Sequence, residues 1–379
     1  MHQPYTLIIP SWYPTAQQPL TGIFIEKHVQ MISGFVDVVV MYIKESEKES
    51  MQEEKVSDAY MKYTYCYEPS SSRLVNQLKY ILAQWRAYGH ITRKYGKPSM
   101  LHLQVVFPAG IFVYLLLLFK NIPLVITEHW SGYTDEDGRY ARQSPLFKHL
   151  TKALFKKAAK ISVVSGYLRK AIIKQNLTAE NKISIVSNIL HIPDTPSISG
   201  VQPPKALFIG HLNDHEKNIS MLIAAVEIVA QKYPDFRLTL IGGGDESEKF
   251  IHMARDKGLL DKTIHFAGYV PNTELSSYYL ANNFFILTSN FETFNIAAAE
   301  AMLYGLPVVA TRCGGPEEFV NDYTGIWINE NNPKSTAAAI IEMIEKRGIF
   351  DSVAIATDMK NKYGYDIILK QLKALYDIK

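Results

Sequence analysis

Short apolar runs alternate with segments of helical periodicity along most of the chain. TLIIP (6–10) precedes a helical stretch around 23–33, and VDVVVMYI (36–43) follows as a near-continuous apolar strand. MLHLQV (100–105), LVIT (124–127), ISVV (161–164) and ISIV (183–186) repeat the pattern, with helical segments between them. Strands that are apolar throughout, rather than at every second position, suit a parallel sheet covered on both faces. Alternating strands and helices predict a doubly wound α/β sheet. The rhythm breaks at ILHIPDTPSISGVQPPK (189–205), whose four prolines and weak periodicity suit an exposed linker. It restarts with ALFIG (206–210), RLTLIGGG (237–244), TIHFAG (263–268), FFILTS (284–289) and PVVAT (307–311). The predicted organisation is an N-terminal Rossmann-like domain over 1–190, a linker over 191–204 and a second Rossmann-like domain over 205–354. A helical segment over 355–379 is expected to pack back on the first domain. Two such sheets joined by a hinge predict a ligand cleft at the carboxyl ends of their strands.

Composition narrows the function classes. At 379 residues and 47% hydrophobic, the chain can fill two or three cores. A net charge of +3 is too small to point to nucleic acid. Two cysteines, Cys66 and Cys313, exclude a disulfide scaffold and fit a reducing compartment. The start MHQPYT lacks the basic residues of a signal peptide. AGIFVYLLLLF (109–119) is far shorter than the roughly 20 residues of a membrane helix and reads as a buried helix. These features together predict a cytoplasmic protein.

Three stretches in the second half carry candidate chemistry. IGGGDE (241–246) follows a strand, where glycines bring backbone close to a ligand or simply turn the chain tightly. FIGHLNDHEKN (208–218) places Lys217 before the next helix, where a cation opposes the helix dipole unless an anion offsets it. His211 in the same loop can donate to a phosphate or sit in a polar turn. The third stretch is SNFETFNIAAAEAMLYGLPVVAT (289–311), an apolar helix and strand interrupted by Glu292 and Glu300. Phe294, Asn295 and Ile296 are expected to form the first helical turn, whose unpaired amides suit a phosphate. Glu300 is expected about two turns further on, with alanines leaving room beside it. A carboxylate accepts two hydrogen bonds at once and matches a ribose diol or paired sugar hydroxyls. By spacing alone, a donor site and a plain solvent-facing helix stand level.

The order of these features resembles glycosyltransferase family 4, retaining transferases of the GT-B architecture. ETFNIAAAEAMLYGLPVVAT looks like the family's E-x7-E signature and following strand, and FIGHLNDHEKN like its phosphate loop. IGGGDE and FAGYV fall at its glycine turn and nucleobase strand. PSWYP with Gly22, TEHW (127–130) and the VVS strand end at Ser165 match more loosely. The resemblance implies that the N-terminal domain binds the acceptor and the C-terminal domain the nucleotide sugar. It implies that Glu300 binds ribose, that Glu292 contacts donor-sugar hydroxyls near the reacting carbon, and that Lys217 neutralises the diphosphate. It assigns the amides of Phe294, Asn295 and Ile296, with His211 and Gly243, to the donor site, and the backbone at Tyr269 and Val270 to the base. From the N-terminal domain it implies Gly22 at the diphosphate and His129 at the donor sugar. No metal and no cofactor are expected. Two departures stand out: His211 replaces the usual Arg, and Asn188-Ile189-Leu190-His191 replaces Asn-Gly-Val-Asp.

The implied activity is transfer from a UDP-sugar, or next GDP-mannose, to a glycan or lipid-linked acceptor in cell-surface polysaccharide or glycolipid synthesis. The rival readings are a catalytically silent sugar-nucleotide-binding subunit and a sugar-nucleotide epimerase or hydrolase. YTDEDG (133–138) contains D-x-D but reads as an acidic surface loop rather than a metal site. FKHLTKALFKKAAK (147–160) lines up Lys148, Lys152, Lys156 and Lys160, a candidate contact with the inner face of a membrane or a solvated face. Tyr5, Trp12 and Tyr13 are candidate platforms for an acceptor sugar.

Overall fold

The apolar runs of the first half become strands of one sheet in the computed structural model, which describes residues 3–18, 21–56, 58–193 and 203–377. The strands are β1 (Thr6–Pro10), β2 (Val38–Glu45), β3 (Ser50–Val56), β4 (Tyr60–Tyr67), β5 (Met100–Gln104), β6 (Leu124–Glu128), β7 (Lys160–Val163) and β8 (Ile183–Ile185). Their order is β3-β4-β2-β1-β5-β6-β7-β8, and only β3 runs antiparallel to its neighbour. Every residue of β1 is buried, as a central parallel strand covered by helices requires. The helices are α1 (Ile23–Ser33), α2 (Arg73–Tyr95), α3 (Gly110–Phe119), α4 (Pro145–Lys157) and α5 (Gly166–Lys174).

β3 and β4 were not among the expected strands. Gln52, Glu53, Glu54 and Lys55 of β3 are exposed because the strand forms the edge of the sheet. Such an edge carries charge, which discourages pairing with other chains, and gives no apolar signal.

The second half forms a six-stranded, wholly parallel sheet of order β11-β10-β9-β12-β13-β14. Its strands are β9 (Lys205–Ile209), β10 (Arg237–Ile241), β11 (Ile264–Gly268), β12 (Phe284–Leu287), β13 (Val308–Ala310) and the unexpected three-residue β14 (Gly325–Trp327). Around it lie α6 (Asp214–Lys217), α7 (Ile219–Lys232), α8 (Ser247–Asp256), α9 (Leu275–Ala281), α10 (Ile296–Leu303), α11 (Pro333–Lys346) and α12 (Ser352–Tyr363).

The chain divides into unit 1, Met1–Ile189 with Ile368–Lys379, and unit 2, Leu190–Ile367. Most of the expected linker, residues 194–202, lies outside the described residues. The final helix α13 (Tyr365–Tyr376) ends in unit 1. There Ile368 and Leu372 join the core formed by Ile25, Val29, Val38 and Val40. Tyr5 and Tyr13 are core residues as well: Tyr5 Oη donates to Gly96 O and Tyr13 Oη shares a 2.7 Å hydrogen bond with Tyr60 Oη. Neither ring is free to stack on a sugar, which corrects that expectation.

Candidate functional site

The turns after β9 and β10 lie side by side because glycine removes the side chains between them. Gly210 N donates to Ile241 O and Leu212 N to Gly243 O. A Cβ on Gly242, at φ +126°, would sit 1.9 Å from Gly210 O. Gly243 has open space around its Cα, with Ser247 Oγ nearest at 4.0 Å. The tight approach in IGGGDE is therefore made at Gly242 and at Gly244, where a Cβ would lie 2.7 Å from Leu212 O, whereas Gly243 contributes its carbonyl. Asp214 ties these turns together, accepting from Lys249 Nζ at 2.5 Å while its N–H donates to Glu246. His211 Nδ1 accepts from Asn213 Nδ2 at 2.8 Å.

Lys217 is the last residue of α6, and Asn218, in the left-handed conformation, separates it from α7. The lysine thus sits at the favourable carboxyl end of a short helix, not only ahead of the next one. Its Nζ donates to Glu292 Oε1 at 2.5 Å, and both side chains are largely buried, at 14% and 11% exposed. Burial opposes the lysine's charge, but Glu292 outweighs it and holds the pKa above the usual lysine range. The same Oε1 accepts from Ser289 Oγ at 2.8 Å and Asn295 Nδ2 at 2.7 Å. Oε2 takes no hydrogen bond from the described residues.

Helix α10 begins at Ile296, later than expected, because Asn295 adopts φ +69° and caps it by accepting from Ala298 N at 2.8 Å. Phe294 precedes the helix and is buried against Phe319 and Tyr363. Among the described residues, none accepts from the N–H groups of Phe294, Asn295 and Ile296. Three backbone donors thus lie beside a buried lysine–glutamate pair, an arrangement suited to an anion.

Glu300 lies little more than one turn into α10, nearer the start than expected, and is buried at 6% exposure. Its Oε1 accepts from His191 N at 3.0 Å and its Oε2 from Tyr279 Oη at 3.2 Å. Tyr279 stacks on Tyr304 with centroids 4.8 Å apart. The chain segment that departs from Asn-Gly-Val-Asp therefore fixes Glu300 through a backbone N–H. Val270 is buried and Tyr269 is half-exposed, just after β11.

In unit 1, Gly22 caps α1 at φ +72°, and a Cβ there would lie 2.6 Å from Trp12 O. His129 is buried, with its ring centroid 4.5 Å from Phe24 and its Nε2 3.4 Å from Gln104 Oε1. Burial lowers its pKa well below the usual histidine value, so it is neutral. Its neighbour Glu128 is fully buried and accepts from the N–H groups of Val106, His129 and Trp130 and from Tyr133 Oη. Ser165 caps α5, accepting from Leu168 N. In the D-x-D stretch, Asp135 pairs with Lys174 and Asp137 with Arg139. The lysine stripe ends at Lys156: α4 stops at Lys157, and Lys160 belongs to β7, where its Nζ donates to Ala374 O.

Comparison with known proteins fits these two units. Residues 36–191 match the family described as Glycosyltransferase Family 4, and residues 196–362 match Glycosyl transferases group 1. The chain belongs to glycosyltransferase family 4. It is 25% identical over 310 residues to an uncharacterized glycosyltransferase of Haemophilus influenzae, spanning 79% of this chain and 84% of that one. Its fold is similar to that of sucrose-phosphate synthase from Thermosynechococcus elongatus, with a TM-score of 0.79, 18% identity and coverage of 99% and 98% of the two chains. Anabaena HepE, solved with UDP and glucose, is similar at a TM-score of 0.75 and 16% identity over 99% of each chain. The shared architecture is the GT-B fold of two parallel-sheet α/β domains.

Within this family 4 chain, two parts of the site escaped the sequence reading. Gly315 packs under residues 293–294, and a Cβ there would fall 2.3 Å from Thr293 O. Glu292 N donates to Cys313 O at 2.7 Å, and Gly315 N to Glu292 O. The paired glycines of RCGGP were the available signal. Asn295 was expected to offer its amide alone, whereas its side chain also binds Glu292.

Proposed function

We propose that the chain is a retaining, metal-independent glycosyltransferase that moves a sugar from a nucleotide diphosphate sugar to a glycan or lipid-linked acceptor in cell-surface polysaccharide or glycolipid synthesis. The observation that carries this reading is the buried Lys217–Glu292 pair beside the unpaired N–H groups of residues 294–296. As the bond from the anomeric carbon to the diphosphate breaks, negative charge grows on the leaving oxygen. Lys217 and the three amides stabilise that charge. Glu292 Oε2 takes a donor-sugar hydroxyl, and Oε1 keeps the lysine oriented. Glu300 holds the ribose, its carboxylate accepting from the diol. The acceptor oxygen bonds to the anomeric carbon on the face the diphosphate leaves, and its proton passes to a departing phosphate oxygen. Being neutral, His129 serves by hydrogen bonding rather than as an acid.

UDP is the leading nucleotide, in line with HepE having been solved with UDP, and GDP follows. A lipid-linked acceptor would bring the enzyme to the inner face of the membrane. Among the described residues, no helix is long and apolar enough to cross one. The intact Lys217–Glu292 pair favours a working transferase over a silent subunit. Calorimetry with UDP, GDP and ADP tests the donor assignment. Glu300→Ala is expected to weaken nucleotide binding, and Glu292→Ala to act mainly on turnover. If neither substitution changed binding or transfer, the site would lie elsewhere. Nucleotide diphosphate released only in the presence of acceptor separates transfer from hydrolysis or epimerisation.

A further inference from the structure

Helix α2 has 23 residues, but only its second half enters the core, through Ala83, Gln84, Ala87, Tyr88 and Ile91. Leu74, Leu78 and Leu82 in its first half are 73%, 62% and 56% exposed, with Val75 beside them at 40%. At about 100° per residue these four share one face, roughly opposite the buried one. Isolated exposed leucines are ordinary, but a leucine in each of three successive turns forms a continuous apolar ridge.

The ridge is framed by positive charge. No Asp or Glu occurs in α2, and Lys79, Arg86 and Arg93 follow one flank of the ridge. Glu49 pairs with Arg86 and Glu53 with Lys94, whereas Lys79 Nζ has a carbonyl oxygen, Glu68 O at 2.9 Å, as its hydrogen-bond partner. Helix α4 is equally free of acidic residues and carries Lys148, Lys152, Lys156 and Lys157. α3 packs against both α2 and α4. Trp85 of α2 meets Phe112, near the start of α3, at 5.0 Å. Both helices lead from one parallel strand to the next and run the same way, so the first turns of α2 overhang α3 by about 15 Å. The overhang walls a groove of about 1330 Å³ within unit 1, lined by Tyr42, Tyr67, Tyr80 and Phe107 together with Asn76 and Ser144.

We propose that the Leu74–Leu78–Leu82 ridge and its flanking cations dock unit 1 on an anionic lipid bilayer. Docking there brings the groove, on the other side of α2, within one helix diameter (~10 Å) of the head group of a lipid-linked acceptor, a consequence that rests on the glycosyltransferase reading above. An apolar stripe flanked by lysine and arginine is the pattern of a helix lying in a membrane interface. A second copy of the chain would set two acid-free basic helices against each other, which charge disfavours.

The test is sedimentation of the full chain with vesicles of phosphatidylcholine alone and of equal parts phosphatidylcholine and phosphatidylglycerol. The expected result is binding to the mixed vesicles that weakens as salt rises. Leu74→Ser/Leu78→Ser/Leu82→Ser should lower partitioning about tenfold or more, with circular dichroism and melting unchanged because all three sites are exposed. Leu118→Ser/Phe119→Ser, exposed at the far end of α3, should bind as the parent does. No binding by the parent chain, or equal binding by the triple variant, overturns the proposal. So does loss of binding only on replacing Lys148, Lys152 and Lys156 by Gln, or a dimer that the triple variant abolishes without any vesicle binding. Because no donor is present, failure here leaves the nucleotide-release assay standing. Failure of that assay leaves the vesicle result standing.

Discussion

Removing the carboxylate of Glu292 would strand a largely buried ammonium and leave the Ser289 and Asn295 donors without their acceptor. Glu292→Ala is therefore expected to cost about 3 kcal/mol in urea unfolding as well as turnover. Glu292→Gln keeps an acceptor oxygen and should unfold closer to the parent, so its turnover loss isolates the role of the charge. Lys217→Ala should lower kcat about a hundredfold or more, read from initial rates with saturating donor. The glycine turn gives a second contrast. Gly242→Ala meets Gly210 O at 1.9 Å and should cost about 2 kcal/mol or more, whereas Gly243→Ala has space and should stay within about 0.5 kcal/mol. The sequence suggested glycines that bring backbone together but not that Gly242 and Gly244 do so while Gly243 does not. Residue type marks a turn, while the crowded position depends on which strand lies alongside.

Among the elements, the parallel core strands were legible because burial on both faces writes an uninterrupted apolar run. β3 was illegible for the opposite reason, since it faces water at the sheet edge. The start of α10 was legible only through Asn295, a residue type that favours the helix cap and tolerates positive φ. α13 was foreseen as helical, but not the bond it makes at its end. Tyr376 Oη lies 2.6 Å from His102 Nδ1, and His102 Nε2 lies 2.7 Å from Thr127 Oγ1. Tyr376→Phe leaves a buried ring nitrogen without its partner and should cost about 1–3 kcal/mol, measured by chemical denaturation. Burial lowers the pKa of His102 to about 3 and that of His28 to about 4. In the unfolded chain both would titrate near 6.5, so below that pH the unfolded state binds more protons. Stability is complete above about pH 6.5 and falls as pH drops towards the folded values, by up to about 1.4 kcal/mol per unit for each ring. Melting curves between pH 7 and pH 5 should show this fall, and it should be shallower in a His102→Gln variant.

At the scale of the whole molecule, the architecture was readable from strand–helix alternation, and the candidate donor site from three stretches after successive strands of one sheet. The hydrogen bond from His191 N to Glu300 was not readable, because it joins the start of unit 2 to a helix more than 100 residues later. If unit 2 holds the nucleotide, its binding should stabilise the native chain by about 2.7 kcal/mol when UDP stands at 100 times its dissociation constant. Thermal melting in a UDP series checks this, and Glu300→Ala should flatten the response.

The return of α13 to unit 1 also has a consequence in time. Unit 2 is one continuous stretch, but the core of unit 1 needs residues from both sides of it. On the ribosome, the docking surface for Ile368 and Leu372 is made about 180 residues before its partners emerge. At roughly 5–20 residues per second, that leaves unit 1 incomplete for about 10–35 s while unit 2 is free to fold. The half of the chain synthesised first is therefore the half finished last.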